Sequence, residues 1–94
     1  MGQLTSGNFS ANGSSDVIVA SSFTLLLGNE TNNSFGGGTV SILVKQDGKN
    51  DWTTDSTYTT GTVKSSIDFV GGLQVKLSMA GSTTPNLDYT IIHE

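Results

Sequence analysis

The sequence predicts an all-β protein, either an antiparallel β-sandwich or a jelly-roll-like barrel, of about seven to eight short strands. Apolar and polar side chains alternate with a period of two in several segments. Turn-forming residues separate these segments at intervals of roughly 8–12 residues, and no window shows the 3.6-residue period of a helix. A chain of 94 residues has room for one such domain.

The start of the chain predicts two regions of different character. Residues 1–16 are mostly small and polar, so we expect a flexible N-terminal arm or an edge strand there. Residues 17–94 form the single β-sandwich domain. Its first strand covers residues 17–27, and its odd-numbered apolar residues are expected to face the core. These are Val17, Val19, Phe23, Leu25 and Leu27.

A hairpin is predicted in the middle of the chain. Gly36-Gly37-Gly38 indicates a sharp bend or a close approach of two backbones, because glycine has no side chain to restrict it. The strand at 39–46 follows, with Val40, Ile42 and Val44 facing inward. Asp47-Gly48 is typical of a hairpin turn, and Trp52 opens the return strand, which continues into the Thr-rich residues 53–62.

Three further strands are expected in the last third of the chain. A short strand is marked by Ile67 and Phe69 and is closed by Gly71-Gly72. The strand at 73–79 alternates cleanly, with its odd-numbered residues inward. In the final strand, residues 87–93, the inward residues are Leu87, Tyr89 and Ile91.

Composition excludes several classes of function. The chain has no Arg, four Lys and eight acidic residues, too few cations to displace the counterions of a nucleic acid or to bind an anionic membrane. The absence of Cys removes disulfides, thiolate metal sites and thiol nucleophiles. Met1–Thr5 has neither the basic nor the apolar part of a secretory signal, so we expect that these residues are not a signal peptide.

No motif points to catalysis or to a cofactor, and we expect a protein that is not an enzyme. Asp47, Asp51 and Asp55 recur at intervals of four, but they lack the EF-hand order, so turn chemistry is favoured over a calcium site. His93 is the one histidine and is expected at a solvated strand end. The sequons at Asn8, Asn12, Asn29 and Asn32 are interpreted as a by-product of a composition rich in Asn, Ser and Thr.

Association with other molecules is predicted from a few apolar side chains. A domain of this size buries a small core, and oligomerisation commonly compensates for that. Leu26, Leu43 and Ile92 interrupt the polar faces of their strands; they lie either at a subunit interface or on a second buried face. Trp52 and Tyr58 could stack on sugar rings, although a role of Trp52 at the edge of the core is favoured.

Two segments carry a resemblance to a known family. Residues 37–52 run from a Gly-rich loop through a strand to Asp47-Gly48 and Trp52, and residues 70–78 run from Gly71-Gly72 into an alternating strand. Together they resemble small structural proteins of bacteriophage particles. The resemblance implies a capsid decoration (cement) protein, or a small tail or fibre knob, with trimers of β-sandwich or jelly-roll subunits and no active site. It also implies a protein that is made in the host cytoplasm and attaches to the major capsid protein at the surface of the virion.

We therefore expect a homotrimer that binds the outside of the capsid and stabilises the shell. The alternative is a carbohydrate-binding or receptor-binding module of a phage tail or fibre, in which Trp52 would contact the glycan.

Overall fold

A computed structural model describes residues 3–46, 48–59 and 62–93. These residues form eight β-strands. No helix is present among these residues, and accordingly none of them forms a helix that could cross a membrane. The prediction of an all-β fold with seven to eight strands is confirmed. The strands are β1 (Gln3–Phe9), β2 (Gly13–Ser14), β3 (Ile18–Leu27), β4 (Asn33–Ser34), β5 (Thr39–Lys45), β6 (Thr53–Tyr58), β7 (Val63–Ala80) and β8 (Asn86–His93).

The strands form two antiparallel layers that pack against each other. Hydrogen bonding follows the order β1-β8-β3-β7-β5-β6, with β2 added to β7 and β4 added to β8. The first layer contains β1, β8, β4 and the parts of β3 and β7 that pair at residues 22–27 and 63–68. The second contains β2, β5, β6, residues 18–20 of β3 and residues 73–80 of β7. The smallest extent, 17 Å, fits two stacked sheets about 10 Å apart.

Strand β7 belongs to both layers. Its first part pairs with β3, and its last part pairs with β5 on one side and β2 on the other. The expectation of two separate strands, the first closed by Gly71-Gly72, is therefore wrong: the strand continues through both glycines. Glycine within a strand is typical of a place where a sheet bends sharply, and here the strand changes layers.

The inward face of β3 changes parity along the strand. Phe23, Leu25 and Leu27 are buried as predicted, but Val17 and Val19 are 50% and 66% exposed and Ile18 is buried instead. A register shift lies at this point, because β3 advances from Ala20 to Ser22 while β7 moves from Leu73 to Asp68. Two positions on β3 thus face five on β7, and an odd difference reverses which side chains share a face, so one period-two pattern cannot describe the whole strand.

The core lies between the layers, and the other predicted faces contribute to it as expected. Val40 and Ile42 of β5, Val75, Leu77 and Met79 of β7, and Leu87 and Ile91 of β8 are buried. Phe9 of β1 and Phe35, which follows β4, complete the cluster. Partly buried side chains pack around it, namely Val44, Tyr58, Val63, Leu73 and Tyr89.

Residues 36–38 show both properties expected of the three glycines. Gly36 and Gly37 have φ values of 64° and 80°, a left-handed region that favours glycine. Gly38 is buried, and a Cβ atom there would overlap Ser82 Oγ and the carbonyl oxygen of Ala80. The Gly36 carbonyl also accepts a hydrogen bond of 2.9 Å from Thr83 N. The sharp bend and the close approach are both confirmed.

The hairpin between β5 and β6 is also confirmed, with a longer connection than a two-residue turn. The last paired residues are Val44 and Thr53. Between them, Lys49 N donates to the Gln46 carbonyl at 3.1 Å, and Gly48 has a φ of 85°. Asp47 lies outside the described residues.

Candidate functional site

The outer face of the second layer carries Trp52 together with two lysines. Lys76 lies between the buried residues Val75 and Leu77 and therefore points outward. Its Nζ is 4.5 Å from the centre of the Trp52 ring, and the Nζ of Lys45 is 5.4 Å from it. Both distances are within the range of a cation–π interaction, so the indole holds two ammonium groups at one place on the surface.

Apolar side chains extend this surface along the sheet. Leu43 lies opposite Lys76, and Gln74 lies between Lys45 on one side and Val19 on the other. Val19 is 66% exposed, whereas Leu43 is partly buried. We call the surface formed by Val19, Leu43, Lys45, Trp52 and Lys76 the Trp52 face.

The structure separates the two aromatic residues considered for stacking on sugars. Tyr58 lies opposite Val40, a fully buried residue, and packs against the core. Trp52 contacts lysines on the outer side of the same layer. The two rings therefore do not form one platform, and Lys45 and Lys76 already occupy positions over the Trp52 ring.

The three residues considered for a subunit interface also divide between the layers. Ile92 is 41% exposed and lies beside Leu4, which is 65% exposed, while Leu26 is one row further along the same outer side. We call these three residues of the first layer the Ile92 face. Leu43 lies on the Trp52 face of the other layer, so one flat contact cannot include all three candidates.

A network of amide side chains surrounds the carboxylate of Asp88. Asn8 Nδ2 donates to Asp88 Oδ1 at 2.7 Å, and Asn29 Nδ2 and Asn32 Nδ2 donate to Oδ2 at 2.9 and 3.0 Å. Asn86 joins the network by accepting a bond from Asn8 and donating one to Asn32. These three donors, Asn8 first, hold the pKa of Asp88 below its usual value. The network ties β1 and the β3–β4 connection to β8.

Each of the four asparagines that begin a sequon uses its side-chain amide in a hydrogen bond. Asn8, Asn29 and Asn32 donate to Asp88, and Asn12 Nδ2 donates to the Ser82 carbonyl at 3.1 Å while its Oδ1 accepts from Ser82 N at 2.9 Å. Each side-chain nitrogen that would carry a glycan is thus engaged in folding contacts.

His93 is buried, and the expectation of a solvated strand end is wrong. It continues the inward series of β8 after Leu87 and Ile91 and lies opposite Phe23. Its Nε2 shares a hydrogen bond of 3.2 Å with Thr5 Oγ1. Its Nδ1 is buried, with no hydrogen-bond partner among the residues that the structure describes. Strand alternation, which the sequence already showed, accounts for this position.

An open depression of about 250 Å³ lies beside His93. Ser22, Ser66 and Asp68 contribute to its lining, which gives a set of residue types found in hydrolases. The imidazole, however, bonds to Thr5 on the inner side, whereas Ser66 bonds to Thr24 at 3.4 Å on the outer side. Among the described residues, therefore, no hydrogen bonds connect a serine hydroxyl, the imidazole and a carboxylate into one relay.

The acidic residues considered for calcium have ordinary surface positions where they are described. Asp51 and Asp55 are exposed, and Asp55 accepts a hydrogen bond of 2.9 Å from the adjacent Ser56. Asp47 is outside the described residues. Within 3–46, 48–59 and 62–93, no group of three or more His, Cys, Asp or Glu residues could hold a metal ion.

Sequence reasoning identified Trp52 but missed the two lysines that contact it. The signal was present, because Lys45 and Lys76 occupy outward positions of two strands whose inward faces were predicted correctly. The pairing of these strands was the missing information.

The chain matches no protein-family model, no curated protein and no solved structure.

Proposed function

We propose that this chain is a non-enzymatic structural protein of a bacteriophage particle, namely a decoration protein that binds the outer surface of the capsid as a homotrimer. The proposal combines the resemblance of residues 37–52 and 70–78 with the all-β fold. One observation carries it furthest: a small domain exposes large apolar side chains, among them Leu4 and Ile92 on one outer face and Val19 on the other. They are Leu4 (65%), Val19 (66%), Val17 (50%) and Ile92 (41%).

Exposed apolar side chains of this kind favour contacts between proteins. Each buried Å² of apolar surface contributes about 25 cal/mol, and grouped exposed apolar residues commonly mark interaction sites. The Ile92 face and the Trp52 face belong to opposite layers. A protein with two such faces can contact sister copies through one and the shell through the other.

The mechanism is stabilisation by mass action. A protein that binds the assembled shell and not its separated subunits shifts the equilibrium towards the shell, and the effect grows with the ratio of free protein to Kd. In this role the contact area with the major capsid protein is the functional element. A buried reaction site is not required.

The alternative is a carbohydrate-binding or receptor-binding module of a tail or fibre, and the partly exposed Trp52 is the observation that favours it. The lysines over its ring and the inward position of Tyr58 support the decoration role over this alternative. Quenching of Trp52 fluorescence by added glycans, lost in a Trp52→Ala variant, would favour the carbohydrate module instead.

The decisive experiment compares particles with and without this protein. We expect particles that lack the protein to release their genome at a lower temperature or after a milder osmotic shock, and we expect the purified protein to restore their tolerance. The molar mass of the purified protein, measured by light scattering, is expected to be that of a trimer. Unchanged tolerance of the stripped particles would exclude the decoration role, and a monomer at high concentration would exclude the trimer.

A further inference from the structure

We propose that the Trp52 face is a binding site for an acidic polypeptide segment, whose carboxylates lie between Lys45 and Lys76 beside the indole. The inference deepens the proposed function and rests on it in one respect: if the protein decorates a capsid, the acidic segment belongs to the shell.

Two ammonium groups, which carry like charges, contact the same indole ring. The Nζ atoms of Lys45 and Lys76 lie 5.4 and 4.5 Å from the Trp52 centroid. Two ammonium groups that share a ring repel each other, and in the described part of the chain both contact the indole. A carboxylate placed between them would interact favourably with both charges. The site is therefore complementary to an anion.

The Trp52 face is positively charged, whereas the protein as a whole is negatively charged. The net charge is −4, and two of the four lysines are at this one position. An acidic partner is repelled by the net charge of the protein and attracted by this pair of lysines, which favours one orientation of docking. Two lysines and no Arg are too few for the many phosphate contacts of a nucleic acid.

The apolar surroundings favour a polypeptide over a small anion. Val19 and the partly buried Leu43 flank the lysines and offer contact area that a free carboxylate or phosphate would leave uncovered. In an extended segment, side chains two positions apart lie on the same side at a spacing of about 7 Å. Glutamates at alternate positions would reach both ammonium groups while the backbone runs beside the indole.

The test uses the purified full chain and the peptide Glu-Thr-Glu-Thr-Glu with blocked ends. Trp52 is the only tryptophan, so its fluorescence reports binding at this site directly. We expect saturable binding that weakens as salt is raised from about 0.05 to 0.5 M, since exposed charges are screened. We expect Lys45→Gln and Lys76→Gln each to weaken binding by about two- to fivefold, the range of one exposed ion pair, and the double variant to abolish it.

Matched controls separate this site from general electrostatic attraction. Lys64→Gln removes the same charge in the other layer, where Lys64 is exposed opposite Leu26. We expect this variant to bind the glutamate peptide like the wild type, and we expect the Gln-Thr-Gln-Thr-Gln peptide not to bind to the wild type. The inference is overturned if the glutamate peptide does not bind, or if Lys45→Gln, Lys76→Gln and Lys64→Gln lose affinity equally.

Two further outcomes identify what the site takes. A change in the molar mass of the Lys45→Gln/Lys76→Gln variant would show that a second copy of this acidic chain occupies the face, and would overturn the inference of a foreign segment.

The tolerance of particles to heat and osmotic shock separates the proposed binding site from the proposed decoration role. Peptide binding without any effect on particles would remove the decoration role and leave the site, whereas stabilised particles without peptide binding would remove only the site.

Discussion

The ring of Tyr89 covers Gly7 on the neighbouring strand. The two residues are opposite each other in the β1–β8 pair, and a Cβ atom at position 7 would lie 2.6 Å from the Tyr89 hydroxyl oxygen and 2.9 Å from Cζ. Tyr89 also packs on Phe9, with ring centroids 4.9 Å apart and an interplanar angle of 35°. An aromatic ring over a glycine compensates for the missing side chain in an edge strand.

We expect Gly7→Ala to destabilise the protein, because the added methyl group displaces the Tyr89 ring from its position on Phe9. Overpacking of this kind costs about 1–3 kcal/mol, measurable by urea denaturation. Ser6→Ala is the matched control, since Ser6 is exposed and a surface change of this kind usually stays within about 0.5 kcal/mol. Equal stability of Gly7→Ala and the wild type would contradict the close contact.

The parity change in β3 predicts opposite results at two neighbouring positions. Ile18 is buried and Val19 is exposed, so Ile18→Ala should lower the free energy of unfolding by about 2–4 kcal/mol. Val19→Ala should change it by less than about 0.5 kcal/mol. Chemical denaturation of both variants checks the expectation, and the reverse order would place the register shift elsewhere.

The amide network predicts that the contribution of Asp88 to the stability of the fold depends on pH. Its carboxylate accepts three hydrogen bonds, and its pKa is lowered in the folded state. The contribution is therefore present above the ordinary carboxyl pKa and is lost as pH falls through the lowered value. We expect Asp88→Asn to have a lower Tm than the wild type at pH 7, because its amide places a donor against amide donors.

The Tm difference between Asp88→Asn and the wild type should shrink in acid, where the wild-type carboxylate is protonated. Asp51→Asn, at an exposed position, serves as the control for loss of one negative charge. A Tm difference that stays constant from pH 7 to below the carboxyl range would show that the charge on Asp88 is not responsible.

The raised pKa of Tyr89 predicts that the fold loses stability at alkaline pH. Burial, and then the charge of Asp16, raise the pKa of the Tyr89 phenol. The unfolded chain therefore releases this proton at a lower pH than the folded chain. The stabilising contribution is complete below the ordinary tyrosine pKa and is lost as pH rises through the raised value.

We expect the wild type to lose more Tm than Tyr89→Phe between pH 8 and pH 11, since phenylalanine has no proton to release. Tyr58→Phe controls for the removal of a phenol from a residue that also packs against the core. Parallel Tm curves for wild type and Tyr89→Phe would argue against the shifted titration.

Alternation along single strands was sufficient to predict much of the fold. It placed Val40, Ile42, Leu77 and Ile91 in the core correctly, because their own strands keep one alternation through these residues. The register shift beside Ile42 leaves the extra residue, Asp55, in β6. Alternation failed at Val17 and Val19, which precede the register shift between Ala20 and Ser22. A bulge depends on the partner strand, which a local pattern does not contain.

The contacts of the candidate sites depend on still more distant pairings. Asn8 and Asp88 are 80 positions apart, and neither residue type nor spacing indicates that they meet. Lys45 and Lys76 reach the same indole only because β5 and β7 are neighbours. The prediction for His93 gave weight to its position near the end of the chain, although the strand pattern already placed it on the inner face.

The pairing of β1 with β8 has a consequence for how the molecule is made. Gln3 lies opposite His93 and Phe9 opposite Leu87, so among the described residues β1 has its sheet neighbour in β8, which is synthesised after β2 to β7. Until residues 87–93 emerge, the Phe9 side chain has no Tyr89 ring to pack against, and the amide of Asn8 has no Asp88 to bond. The nascent chain therefore cannot complete its first layer step by step, and the fold closes in a late event after synthesis has passed β8.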